Sequence, residues 1–143
     1  PVNSAISAPV AREKVSLSPE GTLEMKGWAW SGGGRGIARV EVSADGHTWT
    51  TAELQRPPSQ SLTRTWAWTL WTAQLPIPES LAKPGKALNI MCKAVDAQYN
   101  VQPEKIDSVW NIRGVLCNSW HQVRVTIKPK PVKKQRFEHG YAT

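Results

Sequence analysis

The segment Val109–Leu116 places one arginine among apolar residues, and it is the clearest candidate for chemistry in the chain. It reads Val-Trp-Asn-Ile-Arg-Gly-Val-Leu, with Arg113 directly before Gly114. An arginine in such a setting either pairs with a buried acid or presents its planar fork of donors to an oxyanion. The residue types alone leave both interpretations open.

A second candidate is the run Ser31–Arg35, in which three glycines precede an arginine. Successive glycines can expose backbone N–H groups to an anion, or they can mark a sharp connection that another backbone approaches closely. The run has neither the spacing nor the following helix of a P-loop or a dinucleotide-binding motif. We therefore expect a structural connection here.

The cysteines and histidines do not have the spacing of a metal site, so we predict no metal ligands. The chain has two cysteines, Cys92 and Cys117, and three scattered histidines, His47, His121 and His139. Cys92 alternates with apolar residues, as a small hydrophobic residue on a buried strand face does. We expect structural thiols, and a disulfide between the two cysteines is the less favoured alternative.

Tryptophan dominates the aromatic content, with eight Trp against two Tyr and one Phe. The tripeptide Trp-Ala-Trp occurs twice, at residues 28–30 and 66–68, and in a strand the two indoles of each copy share a face. The rings either fill the core and interfaces or form a stacking platform for sugars or bases. We favour packing, and we keep a carbohydrate-binding β-sandwich as an alternative function.

Alternation with a period of two residues runs along the chain and predicts strands that are buried on one face. Asp45-Gly46 predicts a tight hairpin turn, and the body of the chain has no helical stripe of three or more turns. The predicted fold is all-β, an immunoglobulin-like antiparallel β-sandwich. Its predicted strand segments are Leu23–Trp30, Arg39–Ser43, Arg64–Leu75, Ala87–Val95 and Gln122–Ile127.

The length of 143 residues suits one compact domain with a single core. We divide the chain into a lead-in segment at residues 1–12, an immunoglobulin-like domain at residues 13–127 and a basic, Pro-containing tail at residues 128–143. The Pro-rich stretches Gln55–Gln60 and Pro76–Pro84 are predicted to be loops. The sequence contains no run long and apolar enough for a membrane span, and its start lacks the pattern of a signal peptide.

The formal net charge of +7 is concentrated near the C-terminus. Residues 128–143 carry a charge of +4, and the other 127 residues carry only +3. A body with so little net charge lacks the basic footprint of a nucleic-acid-binding surface. We therefore predict no nucleic-acid partner.

Six short motifs follow one another along the chain. They are Lys26-Gly-Trp-Ala-Trp-Ser-Gly-Gly-Gly-Arg35, Trp66-Ala-Trp68, Cys92-Lys-Ala-Val-Asp96, Tyr99-Asn-Val-Gln-Pro103, Trp110-Asn-Ile-Arg-Gly-Val115 and Trp120-His121. In type and order they resemble the C-terminal dimerisation domain of the sulfite oxidase family, over about residues 1–128. The resemblance implies an immunoglobulin-like sandwich that joins two subunits and follows a separate molybdopterin domain.

The resemblance also implies a role for Arg113. In the family, the arginine of the Trp-Asn-x-Arg-Gly segment reaches into the substrate pocket and helps to hold sulfite or sulfate. The related nitrate reductases typically have methionine at that position. The molybdopterin domain is missing from this chain, together with its molybdenum-ligating cysteine. We therefore expect no cofactor in this chain and no sulfite oxidation by the chain alone.

Two functions follow from the resemblance. The first is the dimerisation domain of a sulfite oxidase-like molybdenum enzyme. The chain would then have sulfite oxidase activity only as part of a longer protein that includes the catalytic domain. The second is a stand-alone domain reused as a structural subunit of a larger assembly, which the missing catalytic domain and the added tail favour. Both imply a protein partner, as a homodimer or a larger assembly, and the family implies a mitochondrial location. The initial Pro1 fits a processed product or a piece of a longer chain.

Overall fold

Strands make up the regular structure of the part of the chain that the structure describes. The structure, a computed structural model, describes residues 1–56, 61–65, 67–105 and 117–129. Within those ranges no helix is long and apolar enough to cross a membrane. The nine strands there are β1 (Val2–Ala8), β2 (Lys14–Val15), β3 (Thr22–Ser31), β4 (Ile37–Ser43), β5 (Thr50–Thr51), β6 (Glu53–Gln55), β7 (Thr69–Pro76), β8 (Ala87–Asp96) and β9 (His121–Ile127).

The strands form two sheets with the core between them. The first sheet has the order β1-β3-β7-β6, and the second has the order β2-β9-β8-β4-β5. All pairings are antiparallel except that of the two-residue β2 with β9. The predicted all-β sandwich is thus confirmed, with one short parallel pairing that the sequence did not indicate.

Side-chain alternation places the apolar residues in this core, as predicted. In β3, Leu23, Met25, Gly27 and Ala29 are buried, and Glu24, Lys26 and Trp28, which alternate with them, lie on the outer face. β7 begins at Thr69, and its Trp71 is buried whereas Leu70 is exposed. The strand predicted over Arg64–Leu75 is therefore confirmed from Thr69 onward and wrong before it, because the described residues 64, 65, 67 and 68 are not in a strand. The backbone N–H of Thr65 instead donates to the carbonyl oxygen of Gly34 at 2.7 Å.

Gly27 allows the closest approach within the first sheet. A Cβ atom at this position would collide with the carbonyl oxygen of Ala5 on β1 and with the indole of Trp71 on β7. The indole therefore occupies the space that any other residue at position 27 would need. Its Nε1 donates to the carbonyl oxygen of Trp28 at 3.1 Å, which fixes the ring against β3.

The predicted hairpin at Asp45-Gly46 joins β4 and β5. Gly46 has a φ of +78°, a value that favours glycine. Oδ1 of Asp45 accepts hydrogen bonds from the backbone N–H groups of His47 and Thr48, both at 2.8 Å. These bonds lower the pKa of Asp45 to about 2.

The N-terminal segment, which the sequence suggests is a lead-in, contains β1. This strand pairs with β3 and buries Val2 and Ile6 in the core. Its sequence, Val-Asn-Ser-Ala-Ile-Ser-Ala, is short of large apolar residues, so its pattern did not predict a strand. In the structure this segment is an edge strand of the first sheet.

Candidate functional site

Arg113, the residue predicted to bind substrate, lies outside the described residues, within 106–116. The structure does describe the chain on both sides of that stretch. The backbone N–H of Trp120 donates to the carbonyl oxygen of Pro103 at 2.9 Å. The indole Nε1 of Trp120 also donates to the carbonyl oxygen of Gln102, at 3.0 Å. These bonds join the two flanking segments to each other.

Gln102 and Asn118 attach those flanks to the sandwich. The Gln102 carboxamide accepts from Ser4 Oγ at 2.7 Å and from the backbone N–H of Ala94 at 2.8 Å, and it donates to the carbonyl oxygen of Asn118 at 2.9 Å. Asn118 donates from its side-chain Nδ2 to the carbonyl oxygen of Val2, at 2.9 Å. We call these flanks, residues 101–105 and 117–120, the base of the arginine segment.

The glycine run is held by a buried carboxylate, in keeping with the predicted structural connection. Arg35 Nε lies 3.4 Å from Oδ2 of Asp96, a residue with no exposed surface. The same carboxylate accepts from Ser31 Oγ at 2.8 Å and from the side-chain Nδ2 of Asn100 at 2.8 Å. Gly33 and Gly34 have φ values of +72° and +73°. This geometry assigns Arg35 to an internal ion pair.

The Asp96 carboxylate is charged in spite of its burial. Loss of water raises its pKa, but hydrogen bonds from Asn100, Ser31 and the Gln98 backbone lower it by more. The net result is a pKa below the ordinary value of 3.8. Asp96 therefore joins the end of β8 to the glycine run at all pH values near neutrality.

Two indoles and a leucine form an apolar area on the outer face of the first sheet. Trp28 and Trp68 stack with ring centroids 4.6 Å apart, and Leu70 is the cross-strand partner of Trp28. Trp68 is 60% exposed and Leu70 is 53% exposed. We call Trp28, Trp68 and Leu70 the indole face. Large apolar side chains that remain exposed on a sheet are a feature of surfaces that bind another protein.

Beside the second sheet, the indoles of Trp49 and Trp120 contact the ammonium group of Lys93. The ring centroids of Trp49 and Trp120 are 4.9 Å apart, and Lys93 Nζ lies 3.8 Å from the centroid of Trp49. Lys93 also lies 3.8 Å from a carboxylate oxygen of Glu41. With its charge held by two rings and a carboxylate, Lys93 stabilises this face of the sandwich.

Most of the described tryptophans serve packing rather than a sugar platform. Among the six that the structure describes, only Trp68 is largely exposed, and its ring is stacked on Trp28. Trp66 and Trp110 lie outside the described residues. A carbohydrate platform requires several exposed coplanar rings, so the described residues favour the packing interpretation.

Cys92 is an inert thiol within the core. It has no exposed surface, and its Sγ lies 3.5 Å from Ser4 Oγ. Burial raises the pKa of this thiol to about 12, and no disulfide joins it to Cys117. Among the described residues, no group of three or more His, Cys, Asp or Glu is placed to hold a metal ion. The thiol is therefore structural, as the alternation around it indicated.

The fold is a β-sandwich with an exposed apolar face, and comparison with known proteins identifies the family of such sandwiches to which the chain belongs. Residues 1–128 match the family described as the Mo-co oxidoreductase dimerisation domain. The chain therefore belongs to this family, and the resemblance found in its sequence is confirmed.

Several relatives are sulfite oxidases. The mitochondrial sulfite oxidase of Homo sapiens is 48% identical over 134 residues, which cover 90% of this chain and 22% of that protein. The nitrate reductase [NAD(P)H] of Hordeum vulgare is 33% identical over 131 residues, which cover 88% of this chain and 14% of that enzyme. The chain thus spans less than a quarter of the length of each of these two proteins.

A solved structure supports the fold. The sulfane dehydrogenase SoxCD from Paracoccus pantotrophus superposes with a TM-score of 0.57 and is 28% identical. The match covers 90% of this chain and 33% of that one. The likeness extends to the whole sandwich and not only to the motifs.

Sequence reasoning found the family but missed Asp96 and Gln102 as organising residues. Both stand within quoted motifs, in Cys92-Lys-Ala-Val-Asp96 and Tyr99-Asn-Val-Gln-Pro103. A polar residue after a strand usually lies in a solvated turn, so neither pattern predicts burial. Their position within motifs that recur in a family was the only signal available from the sequence.

Proposed function

We propose that this protein is the domain through which a sulfite-oxidising molybdenum enzyme associates with a second copy of itself. The observation that carries the proposal is the match of residues 1–128 to the dimerisation-domain family. The 48% identity to human mitochondrial sulfite oxidase, against 33% to a nitrate reductase, supports the sulfite-oxidising branch. The catalytic part of the enzyme lies outside this chain.

The second subunit contacts the indole face. Trp68 and Leu70 expose apolar surface beside the Trp28 ring, on the outside of a sheet. Desolvation of such side chains stabilises an interface, and Trp is enriched among the residues that dominate binding energy. A dimerisation domain needs a surface of this kind, and this face is available without any rearrangement of the fold.

Arg113 contributes a cation to the sulfite pocket of the complete enzyme. Its guanidinium carries a permanent charge and a planar fork of donors, which suit the oxygens of sulfite and sulfate. The apolar residues on both sides of it, Ile112 and Val115, and the adjacent Gly114 provide no competing acid in the sequence. The contact belongs to binding of the anion rather than to electron transfer.

The described residues of this chain do not fit a molybdenum site. Cys92, the buried cysteine, has no exposed surface and lies in the core beside Ser4, so its sulfur is not accessible to a cofactor. No other described cluster offers a donor set. The cofactor therefore binds to the catalytic part of the protein, and this chain contributes association and the arginine.

The location proposed for the enzyme is the mitochondrion. Relatives from Macaca fascicularis, Homo sapiens and Drosophila melanogaster, between 46% and 48% identical, are named as mitochondrial sulfite oxidases. The relative from Gallus gallus, also 46% identical, carries no such label. Immunolocalisation in cells of the source organism tests this location.

The intact mass of the native protein tests the main proposal. We expect a subunit several times heavier than the 15.8 kDa of this chain, and sedimentation that gives twice the subunit mass. A native subunit of 15.8 kDa bound to unrelated proteins would instead establish the structural-subunit alternative. A heavy subunit that stays monomeric at high concentration would overturn the role in association.

A further inference from the structure

Six exposed basic residues surround the C-terminal half of β9, where β2 forms the edge of the second sheet. We call them the basic edge: Arg12, Lys14, Lys83, Lys86, Arg124 and Lys128. The backbone N–H of Arg12 donates to the carbonyl oxygen of Arg124 at 2.7 Å. The N–H of Ile127 donates to the carbonyl oxygen of Lys86 at 3.1 Å. The small net charge of the body therefore conceals a local group of cations.

The described residues around the basic edge do not neutralise it. The ion pairs that those residues form involve none of the six cations. Two carboxylates, those of Glu13 and Glu79, are close to the six in the sequence, and Glu13 Oε2 accepts from the backbone N–H of Val10 at 2.8 Å. Six cations against two carboxylates leave an excess of four positive charges.

An apolar cavity of about 440 Å³ lies beside these cations. Most of the described residues that line it are apolar: Leu17, Ala82, Pro84, Ile127 and Pro129. Lys128 of the basic edge lines it too, together with Ser16. The volume falls within the range of about 300 to 1,000 Å³ that is typical of pockets for small ligands. Such a lining favours a ligand with a hydrocarbon part, because burial of apolar surface is favourable.

A second concavity, of about 380 Å³, adjoins the apolar cavity and is more polar. The two share Lys128, and the second is also lined by Lys14, Lys26, Glu13 and Glu24. Lys26 is paired with Glu24, with 3.7 Å between Nζ and Oε1, so the ammonium groups of Lys14 and Lys128 remain for a ligand. The site therefore has an apolar part with a cationic part next to it.

We propose that this site binds an anionic phospholipid at the surface of a bilayer, with part of an acyl chain in the apolar cavity and the phosphate against the basic edge. Ammonium groups donate strong hydrogen bonds to phosphate, and each basic side chain near an anionic membrane adds to the attraction. The cavity favours a lipid over a nucleic acid or an acidic protein, because neither carries an alkyl chain beside its negative charge. The inference concerns where the protein binds and does not depend on the proposed function.

Flotation of the full chain with lipid vesicles tests the proposal. We expect binding to equimolar vesicles of phosphatidylcholine and phosphatidylglycerol, and none to vesicles of phosphatidylcholine alone. Higher ionic strength should weaken the binding, because salt screens exposed charges. Equal binding to both kinds of vesicle, or binding to neither, would overturn the proposal.

The double variant Lys14→Gln, Lys128→Gln removes the two ammonium groups of the concavity. We expect it to weaken vesicle binding by about tenfold or more. The matched control is Lys133→Gln, Lys134→Gln, which removes the same charge from the basic tail. An equal loss in both double variants would show attraction by net charge alone and would contradict a site at the basic edge.

Ala82→Leu tests the apolar part, because it adds a larger side chain to the cavity lining and removes no charge. We expect the folded variant to bind vesicles about fivefold more weakly, which is the effect of withdrawing a methylene group or two from burial. Unchanged affinity would overturn the role of the cavity.

Two competitors distinguish the other ligands. A double-stranded oligonucleotide that displaces all of the bound vesicles would show a general surface for polyanions. Binding of free oleate by a chain that binds no vesicles would assign the cavity to a fatty acid. Either result would overturn the proposal.

Discussion

The imidazole of His121 accepts a hydrogen bond at Nδ1 from the backbone N–H of Ile6, 2.8 Å away, and thereby joins the two sheets. Ile6 lies on β1 of the first sheet and His121 begins β9 of the second. An imidazole can accept at this nitrogen only when it is neutral. Burial lowers the pKa of His121 below the ordinary 6.5, which keeps the ring in this form.

This contact predicts that the sandwich loses stability in mild acid. A histidine in the unfolded chain takes up a proton near pH 6.5, whereas folded His121 does so only at lower pH. Between those two values the unfolded state binds more protons, so the free energy of unfolding falls as the pH falls. Urea unfolding at about pH 7.5 and at about pH 5.5 measures the difference.

His121→Asn is the matched variant. The asparagine Oδ1 can accept the hydrogen bond from the backbone N–H of Ile6, and the amide group does not titrate. We expect the variant to lose less stability than the wild type over the same pH interval. An identical loss in both proteins would show that other groups cause the pH dependence.

Gly27→Ala is predicted to destabilise the fold by about 3 kcal/mol, because the added methyl group overlaps the Trp71 indole and the Ala5 carbonyl oxygen. The control is Gly32→Ala, where a new Cβ atom would lie 3.7 Å from the Trp30 ring, an ordinary van der Waals contact. This variant should change stability by less than about 1 kcal/mol. Thermal unfolding of both variants measures the contrast, and similar losses would contradict the packing described for Gly27.

Asp96→Asn is predicted to cost about 2 to 4 kcal/mol of folding stability. The substitution leaves Arg35 without its charge partner and turns an N–H group towards donors from Ser31 or Asn100. Asp45→Asn is the control, since Asp45 lies in the exposed hairpin and asparagine retains Oδ1 for the turn. Chemical denaturation should show the larger loss for Asp96→Asn; a larger loss for Asp45→Asn would contradict the role given to Asp96.

Trp68→Ser is predicted to weaken self-association by about tenfold or more, because it removes an exposed anchor from the indole face. Tyr99→Ser is the control, as Tyr99 is also a largely exposed aromatic residue but stands in the turn after β8. Sedimentation over a range of protein concentrations gives the dissociation constant of each variant. Weaker association of Tyr99→Ser than of Trp68→Ser would place the interface elsewhere.

The strands that the sequence predicts best are those with a full apolar stripe. β3 and β9 alternate large buried residues with polar ones, so hydrophobic burial alone indicates their faces. β1 was not predicted, because its inward Ser4 is a polar residue whose burial depends on a partner, Gln102, far along the chain. The parallel pairing of β2 depends in the same way on a distant strand.

In the candidate site, too, local features could be predicted from the sequence and long-range contacts could not. The glycine run and its arginine are visible in the sequence, but the choice between an anion nest and a structural connection depends on Asp96, about 60 residues further along. A contact between residues so far apart in the sequence cannot be predicted from a local sequence pattern. Residue types therefore predicted the importance of the glycine run, but the contacts of the buried Asp96 and Gln102 became visible only in the structure.

The sulfite kinetics of Arg113→Met in the complete enzyme test the central claim most directly. Arg124→Met is the control, because Arg124 is an exposed arginine on β9 of the same domain. The account predicts that Arg113→Met raises KM for sulfite by about tenfold or more while the domain remains folded and Arg124→Met has no effect. An unchanged KM in Arg113→Met would contradict the claim that this domain contributes an arginine to the sulfite pocket.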